Sequence, residues 1–430
     1  MVVERRRKLS NYPSHLETRV RSIIKNAELY IGQNPQYSIT LISKALELLS
    51  GNHNNNLSNA LKGEALRVKG QGYLDLELYD QAIPCFFQAL DLLSDPQSNR
   101  QRLLALTGIG SGYMMMESYP ESLQIYLRVM NEYQNLGDEY GQGQLYKNIG
   151  RLYLLLNEPR KALENLEKSL TLARKTANRD LEADALRNLC DVHRTMGEYN
   201  RSYQAGLRSV ELYQSLGSKS GEAAALKGLG ETYLEMGDFP QALNFLQLTA
   251  EVSKKMGKKF EEARAYYKIG AISRELNDYE QAMKFLEKAL EYGIQYGSQR
   301  LQFEAHFELA KTYKQINNPE LALEHFEKFY TLQHNVFNAE SDRRLKTLEV
   351  VHQVETAKKD SEIHQLRNVE LQQEIEVRKA AQEALEHLAS TDSLTGLINR
   401  RHFMELGEHA FEQANRYHRP LSAIMLDIDL

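Results

Sequence analysis

The chain has 430 residues, 42% of them apolar and 26% charged, a composition that suits two or three folded domains and excludes a disordered chain. Its net charge of -5, with no run of Lys and Arg interleaved with aromatics along one face, removes the usual electrostatic source of sequence-independent nucleic-acid binding. No stretch approaches the ~18 to 20 apolar residues of a membrane span, and the amino terminus lacks the apolar core of a signal peptide, so the expectation is a cytoplasmic protein with neither nucleic-acid nor membrane partner.

In chain order, residues 1–15 read as a tail whose basic cluster, Arg5, Arg6, Arg7 and Lys8, has no apolar stretch behind it and is therefore solvated rather than an anchor. Residues 16–337 carry a repeat. Rows of forty align a column of small residues, Gly70, Gly110, Gly150, Cys190, Gly230, Gly270 and Ala310. Three residues on, Tyr73, Tyr113, Tyr153, His193, Tyr233, Ser273 and Tyr313 form a mostly aromatic column, and twelve on, Ala82, Ser122, Ala162, Ser202, Ala242, Ala282 and Ala322 form a second small one. Self-similarity at such a period signals a solenoid, in which each unit covers its apolar face only by stacking on its neighbours.

Within a row the apolar spacing is helical, as in Leu145, Tyr146, Ile149 and Tyr153, then Ala162, Leu163, Leu166 and Leu170. Breaks at Asn157-Glu158-Pro159, Gly197-Glu198 and Gly237-Asp238, with others near Gly137, Gly217 and Gly257, predict two helices per row. A divergent pair upstream, Ala27–Ile31 with Ile39–Leu49, precedes the Asn-rich loop 51–56 and makes about eight pairs. Cys85 and Cys190, about a hundred residues apart and without a partner motif, suit reduced, buried thiols. Gly108-Ile109-Gly110-Ser111-Gly112 has part of a dinucleotide-loop pattern, but no strand precedes it and Gly110 belongs to the repeat column. His193 and His306 are expected to pack.

With a further column nine residues beyond the first small one, Tyr79, Tyr119, Pro159, Tyr199, Phe239, Tyr279 and Pro319, the small-aromatic-aromatic-small spacing resembles the tetratricopeptide repeat, with forty residues per unit where that family usually has about thirty-four. The resemblance implies that the first helix of each pair lines a concave groove for a protein or peptide. Residues three before the small column would face it: Arg67, Thr107, Lys147, Arg187, Lys227, Tyr267 and Phe307, flanked by Asn148, Asn188 and Lys268. Basic groups beside amides suit a peptide's carboxylates and backbone, and the aromatic end an apolar side chain. A merely solvated inner face is the competing expectation.

From 338 to 390 the repeat stops, and Glu, Lys, Arg and Gln dominate around Leu345, Leu348, Val351, Ile363, Leu366, Leu385 and Leu388. This predicts one long helix or two. A two-stranded coiled coil would bury the stripe and dimerise the chain; a solvated single helix is the alternative, because Glu370 and Gln373 interrupt any heptad. Glu386-His387 near its end lacks the downstream proline of a phosphoacceptor helix.

Residues 391–430 open with Thr391-Asp392-Ser393-Leu394-Thr395-Gly396-Leu397-Ile398-Asn399-Arg400-Arg401, continue with helical spacing at Phe403, Leu406, Ala410, Phe411 and Ala414, and end in an apolar run, Leu421–Leu426, before Asp427-Ile428-Asp429. This resembles the opening of a GGDEF domain, the catalytic domain of diguanylate cyclases, with the glycine-rich acidic hairpin beyond the last residue. The fold expectation is therefore all-α: a tetratricopeptide-like α-solenoid, a long signalling helix or coiled coil, and the first helix and strand of an incomplete α/β domain.

The resemblance makes Asp427 and the Ile428 carbonyl ligands of Mg2+, and gives Asp392, Leu394, Thr395, Gly396, Leu397, Asn399 and Arg400 to the opening turn. It also implies that a complete protein condenses two GTP to cyclic di-GMP, one substrate per domain of a dimer, whereas these 430 residues alone are inactive. A non-enzymatic repeat adaptor with a vestigial cyclase remnant is the alternative. No H-E-x-x-H, paired-Cys or G-x-S-x-G motif supports metalloprotease, zinc or hydrolase chemistry.

Overall fold

A computed structural model describes residues 15–32, 34–50, 56–392 and 395–424. The chain divides into two units, Met1–His352 and Gln353–Leu430. In the first unit helices follow one another as antiparallel pairs: α1 (His15–Tyr30) with α2 (Pro35–Ser50), α3 (Asn56–Asp75) with α4 (Tyr79–Leu92), and, after a short 3-10 turn, α5 (Asn99–Met115) with α6 (Tyr119–Leu136). The pairs α7 (Glu139–Leu155) and α8 (Pro159–Lys175), α9 (Arg179–Thr195) and α10 (Tyr199–Ser215), and α11 (Lys219–Met236) and α12 (Phe239–Lys255) continue the series. It ends with α13 (Lys259–Glu275), α14 (Tyr279–Gln295) and α15 (Gln299–Gln315), the last joined to the start of α16 (Pro319–Ser390). Most first helices also touch the first helix of the next row, so one side of the stack is built from first helices alone.

The period of forty is two helices of about seventeen residues and two three-residue turns. A residue in the left-handed region recurs at every twentieth position from Glu117 to Asn317. Glycine takes most of these positions and Asn157, Asn277 and Asn317 three more, the residue types that tolerate positive φ at a helix end. The next helix is then capped from its own sequence: Asp138, Asn178, Asp238 and Asp278 each accept a hydrogen bond from a backbone N–H in the first turn.

Small residues on the first helix admit large ones from the second. A Cβ added at Gly150, Gly230 or Gly270 would lie 2.6–3.0 Å from the Cγ of Leu166, Leu246 or Leu286, sixteen residues on, and one at Gly110 would meet Tyr126 at 2.6 Å. One row inverts the arrangement. Cys190 stands where the glycine would be, Gly206 stands where the leucine would be, and a Cβ at Gly206 would lie 3.0 Å from Cys190 Sγ. In the second small column, Ser122 and Ser202 donate to the carbonyls of Gly110 and Cys190 at 2.7 and 2.8 Å, tying the paired helices together at depth. Both cysteines are buried free thiols, and burial holds both above the ordinary thiol value.

The last repeat has no break at 337–338. Its second helix runs on as α16 for 72 residues, across the stretch expected to be a separate linker. Neither Pro nor Gly interrupts it after Pro319.

In the second unit α16 ends at Ser390, a turn comes next, and α17 spans Arg400–Tyr417. Leu421–Ile424, the described part of the expected strand, is irregular and exposed, and Met425–Leu430 lie outside the described residues. A strand needs a neighbour to satisfy its backbone, and the described residues of this unit contain only the single Thr391–Ile398 bridge.

Candidate functional site

The side of the stack made by first helices carries two cavities, each lined in part by residues expected to face a groove. Arg67, Thr107 and Lys147, with Asn148, line a cavity of about 530 Å3 along α3, α5 and α7. Lys227 and Lys268 line a second, of about 270 Å3, between α11, α12 and α13. Arg187 and Asn188 belong to neither cavity, and α9 carries them in the row between.

Most of these cations are already paired with carboxylates that sequence reasoning did not name. Arg67 pairs with Glu28 of α1 and donates from Nε to Gln101 Oε1 at 2.6 Å. Lys147 Nζ lies 2.8 Å from Asp184 Oδ2, and the Tyr213 hydroxyl donates to Asp184 Oδ1 at 2.5 Å. Burial pushes the Asp184 carboxyl up, but the Lys147 charge and hydrogen bond, with the Tyr213 hydroxyl, outweigh it and leave the group below its ordinary value. Asn188, only 2% exposed, donates to the Asp184 carbonyl at 2.9 Å and so secures the helix that carries the acid. Lys268 pairs with Glu231, which is lowered in the same way, its burial outweighed by Lys268.

Arg187 sits between Tyr213, Asp184 and Asp191, and with burial it pushes the Arg151 guanidinium of α7 down. Asp191 is held up by burial in spite of Arg187 and Arg194. The Thr107 hydroxyl donates to the Leu103 carbonyl at 2.8 Å.

The site is therefore a ladder of alternating charge. Its spacing has a sequence signal: Lys147–Asp184 and Glu231–Lys268 are both separated by 37 residues, one period less the three residues that bring facing turns of adjacent first helices together. At the carboxy end the face becomes aromatic. Phe307 packs on Phe329 in a tilted pair, 4.8 Å between centroids, Lys311 lies 4.1 Å from the Phe307 centroid, and burial, with Glu308 and Glu304, pushes the Tyr267 hydroxyl up to about 12.

In the turn between α16 and α17, the side chains of Asp392, Thr395 and Asn399 make hydrogen bonds. Asp392 Oδ1 accepts from the Thr395 N–H at 2.9 Å and the Thr395 hydroxyl at 2.8 Å, and Gly396 supplies a φ of +70°. The Asp392 N–H donates to the Leu397 carbonyl at 2.7 Å. Asn399 donates to the Ala389 carbonyl at 2.7 Å and accepts from the His402 N–H at 2.9 Å, joining the end of α16 to the cap of α17, whose first residue is Arg400. Leu394, Asp427 and Ile428 lie outside the described residues. Among the described residues no three His, Cys, Asp or Glu converge to hold a metal ion.

The tetratricopeptide-repeat family model matches residues 101–175, 181–255 and 261–333, more than half of the chain. The chain belongs to the tetratricopeptide-repeat family. A second family model, the diguanylate cyclase GGDEF domain, matches residues 389–430 of this tetratricopeptide-repeat protein, beginning at the turn that Asp392 and Asn399 hold. No curated protein matches the sequence. Among solved structures, a Rap protein complexed with competence and sporulation factor is similar in fold at 12% identity and a TM-score of 0.54, covering 80% of this chain and 98% of that one. A signal-transduction ATPase with numerous domains and a tetratricopeptide repeat sensor, from Pyrococcus horikoshii, is similar at 14% identity and a TM-score of 0.50, covering 76% of this chain and 54% of that one. The repeats are a type that suggests protein interaction, and no helix among the described residues is long and apolar enough to cross a membrane.

Proposed function

We propose that this protein is the sensory and connecting part of a cytoplasmic diguanylate cyclase. Its repeats, taken as residues 16–337, bind a protein or peptide along the Arg67 to Lys268 face, and α16 carries the response to a cyclase domain that begins at about 391. The carrying observation is the order of parts: a GGDEF match starts where an uninterrupted 72-residue helix leaves the last repeat. That helix is the element we assign to carrying a change in the repeats toward the cyclase domain. The Rap protein of similar fold was solved in complex with competence and sporulation factor, which supports partner binding as the role of the repeats.

Joining two GTP requires each 3′-hydroxyl to attack the other's α-phosphorus, so two domains must meet. Ile363, Leu371 and Ile375, all about half exposed and spaced by multiples of four on α16, offer a face for a second copy of the chain. Magnesium would neutralise the triphosphates when bound, with Asp427 and the Ile428 carbonyl as ligands by resemblance. Asp392, Thr395 and Asn399 hold the turn that sets where that segment begins.

Cyclic di-GMP formation from GTP and magnesium, by a chain carrying the complete domain, tests the enzymatic reading; these 430 residues alone are expected to form none. If the complete chain also forms none, the adaptor reading takes its place. Charge reversal at Lys147, Arg187 and Lys227 together is expected to weaken peptide capture at least about tenfold, and unchanged capture would show the face to be inert.

A further inference from the structure

Along the stack, two columns eight residues apart trade bulk. Tyr133 faces Gly141, where an added Cβ would lie 2.3 Å from the ring, and Tyr213 faces Gly221 at 2.2 Å. Where the first position is small, at Ala173 and Gly293, the second is a buried leucine, Leu181 or Leu301. Each pair places one large side chain in the same gap between rows. At Ser253 and Glu261 the trade fails: the serine is small, and the glutamate is exposed and charged. The cavity of about 270 Å3 is lined by these two residues, with Ala223, Leu246 and Ala265 as its apolar wall. It is a place that neighbouring rows fill from within and this row leaves open.

The rim departs from the ladder in a second way. The residue 37 beyond Lys147 is Asp184, its partner, but the residue 37 beyond Lys227 is Arg264, and both line the cavity. Among the described residues neither Lys227 nor Arg264 has a carboxylate within ion-pair distance. Lys258, also at the rim, donates to Ser220 Oγ at 3.0 Å. At the cavity the Ser253 hydroxyl is fully buried and has no hydrogen-bond partner.

We propose that this cavity is the anchoring point for an acidic peptide partner, seating an apolar side chain of leucine or tyrosine size in the open gap and a neighbouring carboxylate against Lys227 and Arg264. The proposal rests on the peptide-binding reading of the first-helix face and adds the chemistry of the partner and the row that selects it.

The test uses the whole chain and fluorescein-labelled octapeptides: one acidic with a central leucine, the same peptide with serine for leucine, and a basic counterpart with the leucine kept. Fluorescence anisotropy is expected to show the acidic leucine peptide binding at least about tenfold more tightly than either control. Ser253→Tyr with Glu261→Gly rebuilds the Tyr213–Gly221 arrangement and is expected to fold normally while losing about tenfold in affinity. Arg264→Asp, which supplies the carboxylate that Lys227 lacks, is expected to lose as much, and it carries the test if the filled variant does not fold. If both variants bind like the parent while Lys147→Glu weakens binding, this pocket is wrong and the wider face stands. Equal binding of all three peptides overturns the pocket as well. No binding of any peptide overturns both.

Discussion

Ala177 shows how much a single backbone angle carries. It holds φ +51° at the end of α8, where most rows have glycine or asparagine, and the turn still closes, with the Asn178 N–H donating to the Ala173 carbonyl at 2.8 Å. A Cβ in the left-handed region costs roughly 1 kcal/mol, and Ala177 is exposed, so no packing offsets it. Ala177→Gly should therefore raise the unfolding free energy by about 0.5–1 kcal/mol, read as a higher urea midpoint at unchanged slope. A second residue-scale feature is the pair His306 and His325, whose Nδ1 atoms are 2.8 Å apart where α15 meets the start of α16. Burial, then His325 and Lys328, push His306 down to about 4 against a partial upward pull from Glu324, and burial with Lys328 lowers His325. A histidine lowered on folding contributes stability that is fully present above its unfolded value of about 6.5 and lost as the pH falls from there toward 4. The repeat unit should thus lose about 1–3 kcal/mol between pH 7 and pH 4.5 beyond what His306→Phe loses, as measured by denaturant midpoints across that range.

Between elements the controlling quantity is volume shared by two helices. Because Cys190 and Gly206 invert the usual glycine and large residue, Gly206→Leu alone drives a side chain into Leu229, whose Cδ2 lies 2.6 Å from the added Cβ, and into Cys190. A destabilisation of about 2–3 kcal/mol is expected for it, and about 1 kcal/mol for Cys190→Gly alone through the lost Sγ contacts. Together they recreate the ordinary row, so the double variant should be more stable than the two single losses predict, with a coupling of at least about 1 kcal/mol in a double-mutant cycle. Strict additivity would mean that the inversion is coincidental. The same matching of volumes explains why the gap at Ser253 and Glu261 stands out: elsewhere the smaller residue of a pair is matched by a larger one.

For the whole molecule the consequential element is α16, because no break separates its first turns, which belong to the last repeat, from the rest of the helix. If α16 pairs two chains, Ile375→Glu should convert a dimer to a monomer in sedimentation equilibrium while leaving the thermal unfolding of the repeats unchanged. A monomeric parent chain would leave stimulus-driven pairing as the only route to two facing domains. The exposed Phe403, Leu406 and Phe411 on α17 make the same point for the second unit, since among its described residues no helix or sheet covers that face.

Read alone, the sequence determined what repeats. Helix, turn, cap and small column are set by residues within twenty positions of each other, and the seven first-helix positions from Arg67 to Phe307 come from that local rule. Asp392 with Thr395, and Asn399 with His402, bond over the same local range, three residues apart. What the rows do to one another was left to the tertiary structure. Whether Lys147 is free or held by Asp184, whether Lys227 finds a carboxylate at ion-pair distance, and whether a small residue leaves a hole or is matched by a leucine depend on stacking one unit against the next. A charge or a volume has no period of its own, and its value is fixed only by the neighbour that folding brings against it.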